Sequence, residues 1–241
     1  MINRKLLALS LVGATVLAGC GNNNSDDKTA PVEPVAEYQV TVTNLTNAQP
    51  MSEVAIVLHE TGYRAWVGGQ AASVELEHMA ESGNPQPLID QAVADASYLQ
   101  HGVNPAILKP GESAEINLSV YEASTDTRIS GFTMLVNTND AFTGLNNVSL
   151  AALAVGQSVS YRSNVYDAGT ERNTEVAGSI PGPADTTADS GNFSAVRDDF
   201  QNKVALHSGV VTADDGLTGS VLTSVHKFDN PAMSIKITRM R

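Results

Sequence analysis

A single cysteine, Cys20, occurs in the chain, so no disulfide within one copy staples the fold, and a cysteine pair for redox chemistry is excluded. Basic residues are scarce as well: 14 Lys and Arg stand against 26 Asp and Glu, for a net charge of −12. Nothing basic clusters to neutralise phosphates, which argues against nucleic acid as a partner and against electrostatic docking on anionic lipid. Trp66 is the only tryptophan, so there is no aromatic stripe for stacking on sugars, and Trp66 itself reads equally well as core. No repeat recurs at a fixed period.

Enzyme signatures are missing too. His59-Glu60 is followed by Thr61-Gly62-Tyr63 rather than by a second histidine at the zinc-protease spacing. Gly178-Ser179-Ile180-Pro181-Gly182 has its serine one place too early for a nucleophile elbow, and no glycine-rich loop carries a phosphate-binding lysine. The five histidines are scattered and fit no zinc spacing. A triad assembled from distant residues would leave no such trace.

What is present begins at the amino terminus. Arg4 and Lys5 precede an apolar run over residues 6–17, interrupted by Ser10, Gly13 and Thr15. This run is too short to span a bilayer, which takes roughly 20 residues, and has the length of a signal-peptide core. Leu17-Ala18-Gly19-Cys20 follows, resembling the lipobox of bacterial lipoproteins, in which cleavage leaves a lipidated cysteine at the new amino terminus. The expectation is a signal peptide over 1–19, a lipidated Cys20 with a polar linker over 20–36, and one folded domain over 37–241. Two or more acyl chains would hold such a protein firmly, since each buried methylene contributes about 0.8 kcal/mol. Gly21 follows the cysteine where an aspartate would resemble an inner-membrane retention signal, so the expected location is the outer membrane, on either face.

Within the domain, alternation with period two dominates. Tyr38-Gln39-Val40-Thr41-Val42-Thr43 has one apolar and one polar face, and Val54-Ala55-Ile56-Val57-Leu58 is a continuous apolar run suited to a buried strand. Further strands are predicted around Ile116, Leu118 and Val120, and over 129–136, 158–162, 220–225 and 233–240. Ser73 is placed to cap a helix carrying Leu76, Met79 and Ala80 and ending at Gly83; a second helix starts at Pro87 with Leu88, Ile89, Ala92 and Val93. The predicted class is mostly β, an antiparallel β-sandwich with a short helical insertion. Residues 171–204 read as one long loop.

Acidic loops beside strands are the chemically informative segments. Asn137-Thr138-Asn139-Asp140 follows one predicted strand and Tyr166-Asp167-Ala168-Gly169-Thr170-Glu171 follows another. Loops gather at the ends of a sandwich, where Asp140 and Asp167 would meet. Two carboxylates brought together repel unless a cation lies between them, and calcium accepts carboxylates, carbonyls and water in loose geometry. As turn formers, the same residues fit a purely structural role, which their chemistry alone favours.

These segments also resemble a known family, the spondin amino-terminal (F-spondin) domain, found in extracellular matrix proteins and in bacterial exported proteins. The resemblance runs from about Tyr38 to Arg239. It rests on Val42-Thr43-Asn44-Leu45-Thr46, the stretch Leu-Glu-His-Met-Ala-Glu-Ser-Gly over 76–83, the run over 133–142 containing Met134-Leu135-Val136 and Asp140, and above all Tyr166-Asp167-Ala168-Gly169-Thr170-Glu171. It implies a sandwich similar to the calcium-dependent phospholipid-binding sandwiches, with Ca2+ at one end held by Asp140, Asp167 and an upstream glutamate whose nearest match is Glu122. The thrombospondin-type repeats that accompany the domain in animal matrix proteins have no counterpart here. Two functions are therefore expected. One is a non-catalytic, calcium-binding envelope module that binds a protein or glycan. The alternative is an envelope hydrolase acting on polysaccharide or lipid, with Asp140, Asp167 and Glu171 as acid and base.

Overall fold

Strict alternation along β1 (Ala36–Asn44) places Tyr38, Val40 and Val42 on one face and polar residues on the other. The computed structural model of the chain describes residues 34–121, 124–187, 193–199 and 201–241. Cys20, the signal peptide, most of the linker, and Glu122 lie outside these described residues. In chain order the further elements are β2 (Val54–His59), α1 (Val74–Ser82), α2 (Gln86–Ala94), β3 (Tyr98–Asn104), β4 (Ser113–Val120) and β5 (Arg128–Met134). They are followed by β6 (Ala141–Ser149), β7 (Ser158–Ser163), β8 (Val165–Asp167), β9 (Ala205–Leu206) and β10 (Met233–Arg239).

The strands form two antiparallel sheets, ordered β4-β1-β10-β7 and β3-β2-β5-β6-β8-β9. Between them lies the main core, where Val40, Val42, Ile116, Leu118, Ile235 and Ile237 meet Ile56, Leu58 and Ile129. The outer face of the second sheet is not left to solvent. Leu76, Met79, Leu88 and Ile89 of the two helices cover Ala55, Val57, Phe132 and Met134, and Trp66 joins this second core beside Phe142 and Tyr166. Every residue of β2 is buried for this reason, which is why it reads as an unbroken apolar run rather than an alternating one. Helix ends follow the expected chemistry. The Ser73 side chain accepts from the Leu76 N–H at the start of α1, and Gly83 closes it with φ +72°.

Close approach within the second sheet depends on two glycines. The register shifts between Ile129 and Gly131, and there β5 and β6 come so near that a Cβ on Gly144 would lie 1.9 Å from the Gly131 carbonyl oxygen. The methyl end of Ile56 fills the space over Gly131, where a Cβ would meet it at 2.7 Å.

One predicted strand is corrected. Residues 220–225 form no strand: Ser220 makes a single bridge to Val176, and Ser224–His226 is a 3-10 turn. Side chains there satisfy the backbone locally. Asp214 accepts from Ser224 N–H and His226 Nδ1 from Thr223 N–H, which competes with a ladder. Leu222, the apolar centre of the stretch, packs instead into a small satellite cluster with Ile180 and Val210.

The sandwich has two distinct ends. At one, Ala36 pairs with Val120, and Arg128 with Ser149. At the other, Asn44 binds the carbonyls of Gln49 and Leu108, Met51 bridges Leu135, and the turn 137–140 connects β5 to β6.

Candidate metal centre

The Asn137-Thr138-Asn139-Asp140 run divides its labour. Thr138 donates to the Leu135 carbonyl at 2.6 Å and accepts from Ala141 N–H, closing the turn. Asn137 donates to the Ala48 carbonyl and Asn139 to the Ser179 carbonyl, so both tie neighbouring loops to the sheet. Only Asp140 is left for other chemistry. It is fully buried, and its Oδ2 accepts from Thr170 N–H at 2.8 Å, Glu171 N–H at 3.0 Å and the Thr170 hydroxyl at 3.2 Å. Its Oδ1 is buried with no hydrogen-bond partner among the described residues.

Pairing between β6 and β8 brings the second expected carboxylate alongside. Ala141 stands opposite Asp167, and the Ala168 N–H donates to the Asp140 carbonyl at 3.3 Å. Asp167 Oδ1 accepts from Gly169 N–H at 2.7 Å and its Oδ2 from Asn173 at 2.8 Å. Burial, followed by the charge of Asp167, pushes the Asp140 carboxyl up to about 7. The two aspartates therefore do meet at one end of the sandwich.

Gly169 holds the arrangement. Its φ is +71°, and a Cβ there would lie 2.4 Å from the Lys203 carbonyl oxygen. Gly169→Ala is expected to cost about 2 kcal/mol in a urea melt, from an unfavourable φ and a displaced Lys203 backbone. A variant as stable as wild type would contradict this packing.

More acidic groups gather here than sequence reasoning found. Burial, then Glu81 and Asp140, push Glu171 up to about 8. Glu77 and Glu81 come from α1, one turn apart and both buried. Their spacing of four residues beside the apolar positions of α1 was the available signal; their partners are far away in sequence. His207 is close enough to Asp167 to feel its charge, yet it is not offered to a metal. Nδ1 accepts from Gly209 N–H, so in the neutral ring the proton sits on Nε2.

The donor set fits a hard divalent cation. It consists of carboxylate oxygens, one of them buried and unpartnered. Among the described residues no three His, Cys, Asp or Glu side chains are placed to hold one ion. Backbone carbonyls and water must therefore complete any coordination shell, as calcium allows.

A family model described as Spondin_N matches residues 38–188. The match covers more than half of the chain, takes in β1 from Tyr38 onward, both helices and the other strands through β8, and includes Asp140, Asp167 and Glu171. It ends before β9 and β10. No curated protein matches the chain.

Proposed function

The chain belongs to the spondin amino-terminal domain family, and from that premise we propose that it is a non-catalytic, calcium-binding module of the cell envelope, held by lipid on Cys20, that binds a protein or glycan. The family is a non-enzymatic, typically extracellular domain type. No helix among the described residues is long and apolar enough to cross a membrane.

One observation carries the calcium reading: a fully buried Asp140 with a free Oδ1, next to Ala141, which pairs with Asp167. Leaving a buried carboxylate oxygen without a partner is costly, and a second carboxylate nearby increases that cost. A divalent cation offsets both. Asp140 and Asp167 would hold it, with backbone carbonyls and water completing the shell. The bound ion would fix the loops 137–140 and 167–173 and present their outer surface to a ligand.

Binding to the native state alone stabilises it by mass action. Calcium at about a hundredfold excess over its dissociation constant is expected to add roughly 2.7 kcal/mol, a rise of about 5 °C or more in melting temperature. Asp167→Asn should diminish the rise. Superimposable melts in calcium and in chelator would refute the proposal.

A hydrolytic role draws its support from the same raised carboxyl groups, which suit a general acid. Asp140, however, has no exposed surface with which to touch a substrate. Turnover on a panel of envelope glycans, lost in Asp140→Asn, would favour the hydrolase.

A further inference from the structure

Glu77 and Glu81 share a helix and a buried environment, but only Glu77 forms an ion pair with Arg197, whose charge Glu81 feels without a hydrogen bond to it. The Glu77 carboxylate meets the Arg197 guanidinium at 2.6 Å, and that guanidinium also donates to the Ala72 carbonyl and to Asn202. Glu81 is 1 % exposed; its Oε2 accepts from Ser194 N–H at 2.8 Å, while its Oε1 is buried with no hydrogen-bond partner among the described residues. The Thr170 hydroxyl interacts with Glu81 as well as with Asp140 Oδ2. One hydroxyl has one proton, so it cannot fully satisfy two carboxylates.

The charges fall into two lobes. Asp140 lies beside Asp167 in one, since its neighbour Ala141 pairs with Asp167. Glu81 and Glu171 make up the other: the Ser194 N–H that donates to Glu81 Oε2 belongs to the same polar cleft, of about 290 Å³, that Glu171, Asn139, Arg172 and Asp198 line. Thr170 lies between the lobes, and the Glu171 N–H donates to Asp140.

We propose that a second divalent cation binds between Glu81 and Glu171, next to Thr170. This rests on the calcium reading of the first position and extends it to α1. The ion takes the unpartnered Oε1 of Glu81 as a ligand, and hard oxygen donors with room for water suit calcium. Helix α1 is thereby fastened to the 167–173 loop through metal as well as through packing.

The test is a calcium titration of the whole domain by calorimetry, with bound ions counted by native mass spectrometry. Wild type should bind two ions. Glu81→Gln should bind one, with the second step weakened at least tenfold and the first unchanged; Asp167→Asn should weaken the first step. A wild type that binds a single ion, more weakly in Asp167→Asn, would overturn the second position and leave the first standing, whereas a wild type that binds none would overturn both. Two ions retained in Glu81→Gln would likewise reject the proposal. Should that variant not fold, the count of ions on wild type decides the matter alone.

Discussion

In chelator at pH 8, Asp140→Asn is expected to be more stable than wild type by on the order of 4 kcal/mol, and at pH 5 the gap should shrink to about 1.5 kcal/mol. The amide keeps an oxygen for the Thr170 and Glu171 N–H groups but carries no charge. In the wild-type fold the Asp140 carboxyl titrates at about 7, against 3.8 in the unfolded chain. Below about pH 4 both states are protonated. Between about 4 and 7 the unfolded chain gives up its proton while the fold keeps it, so wild-type stability falls as pH rises. Above about 7 the whole loss has been incurred. Glu171, pushed up to about 8, adds a loss of the same sign. Buried His59 and His207, both held below their ordinary value by burial, act oppositely below about pH 6.5. They are common to both proteins, so the comparison with the variant removes them. Calcium at a hundredfold excess over its dissociation constant should narrow the gap at pH 8 to about 1 kcal/mol, because it stabilises an ionised carboxylate that the variant lacks at position 140. Urea midpoints across this range, with and without calcium, supply the measurement. A wild type that matches the variant at pH 8 in chelator would mean that Asp140 is not desolvated in the fold.

Gly144→Ala is expected to cost about 4 kcal/mol or more and to yield mostly insoluble protein. The added Cβ would lie 1.9 Å from the Gly131 carbonyl oxygen, so β5 and β6 must separate at the centre of the second sheet. Separation there disturbs Phe132 and Phe142, which pack under the helices, and Ile56, which packs over Gly131. The turn carrying Asp140 joins these same two strands and would move with them. Gly68→Ala is the control, since a Cβ there meets nothing within 4 Å; its effect should stay within about 0.5 kcal/mol. Equal stability of the two variants would show that β5 and β6 do not approach this closely.

How far the sequence disclosed these features follows from the range of the interactions involved. β1, β4, β7 and β10 each have one face on the core, so alternation marks them, and Ser73 and Gly83 bracket α1 through local hydrogen bonds. By contrast, β3 is half-buried at every position and shows no alternation to read. Alternation at 220–225 misled because Asp214 and His226 give the backbone local partners. Asp140 and Asp167 were found through their loops and motifs. Glu81 was not, because its importance lies in facing Thr170 and Glu171 from a separate helix, a relation no local pattern encodes. Glu122 lies outside the described residues.

The two ends of the sandwich bear on how changes to the chain combine. The chain enters the sandwich at Ala36, which pairs with Val120 at the end away from Asp140. The turn 137–140 and the loop 167–173 thus lie the length of β1 from that entry point, with no partner in common. Substitutions at Ala36 and at Gly169 should therefore add in their effects on stability.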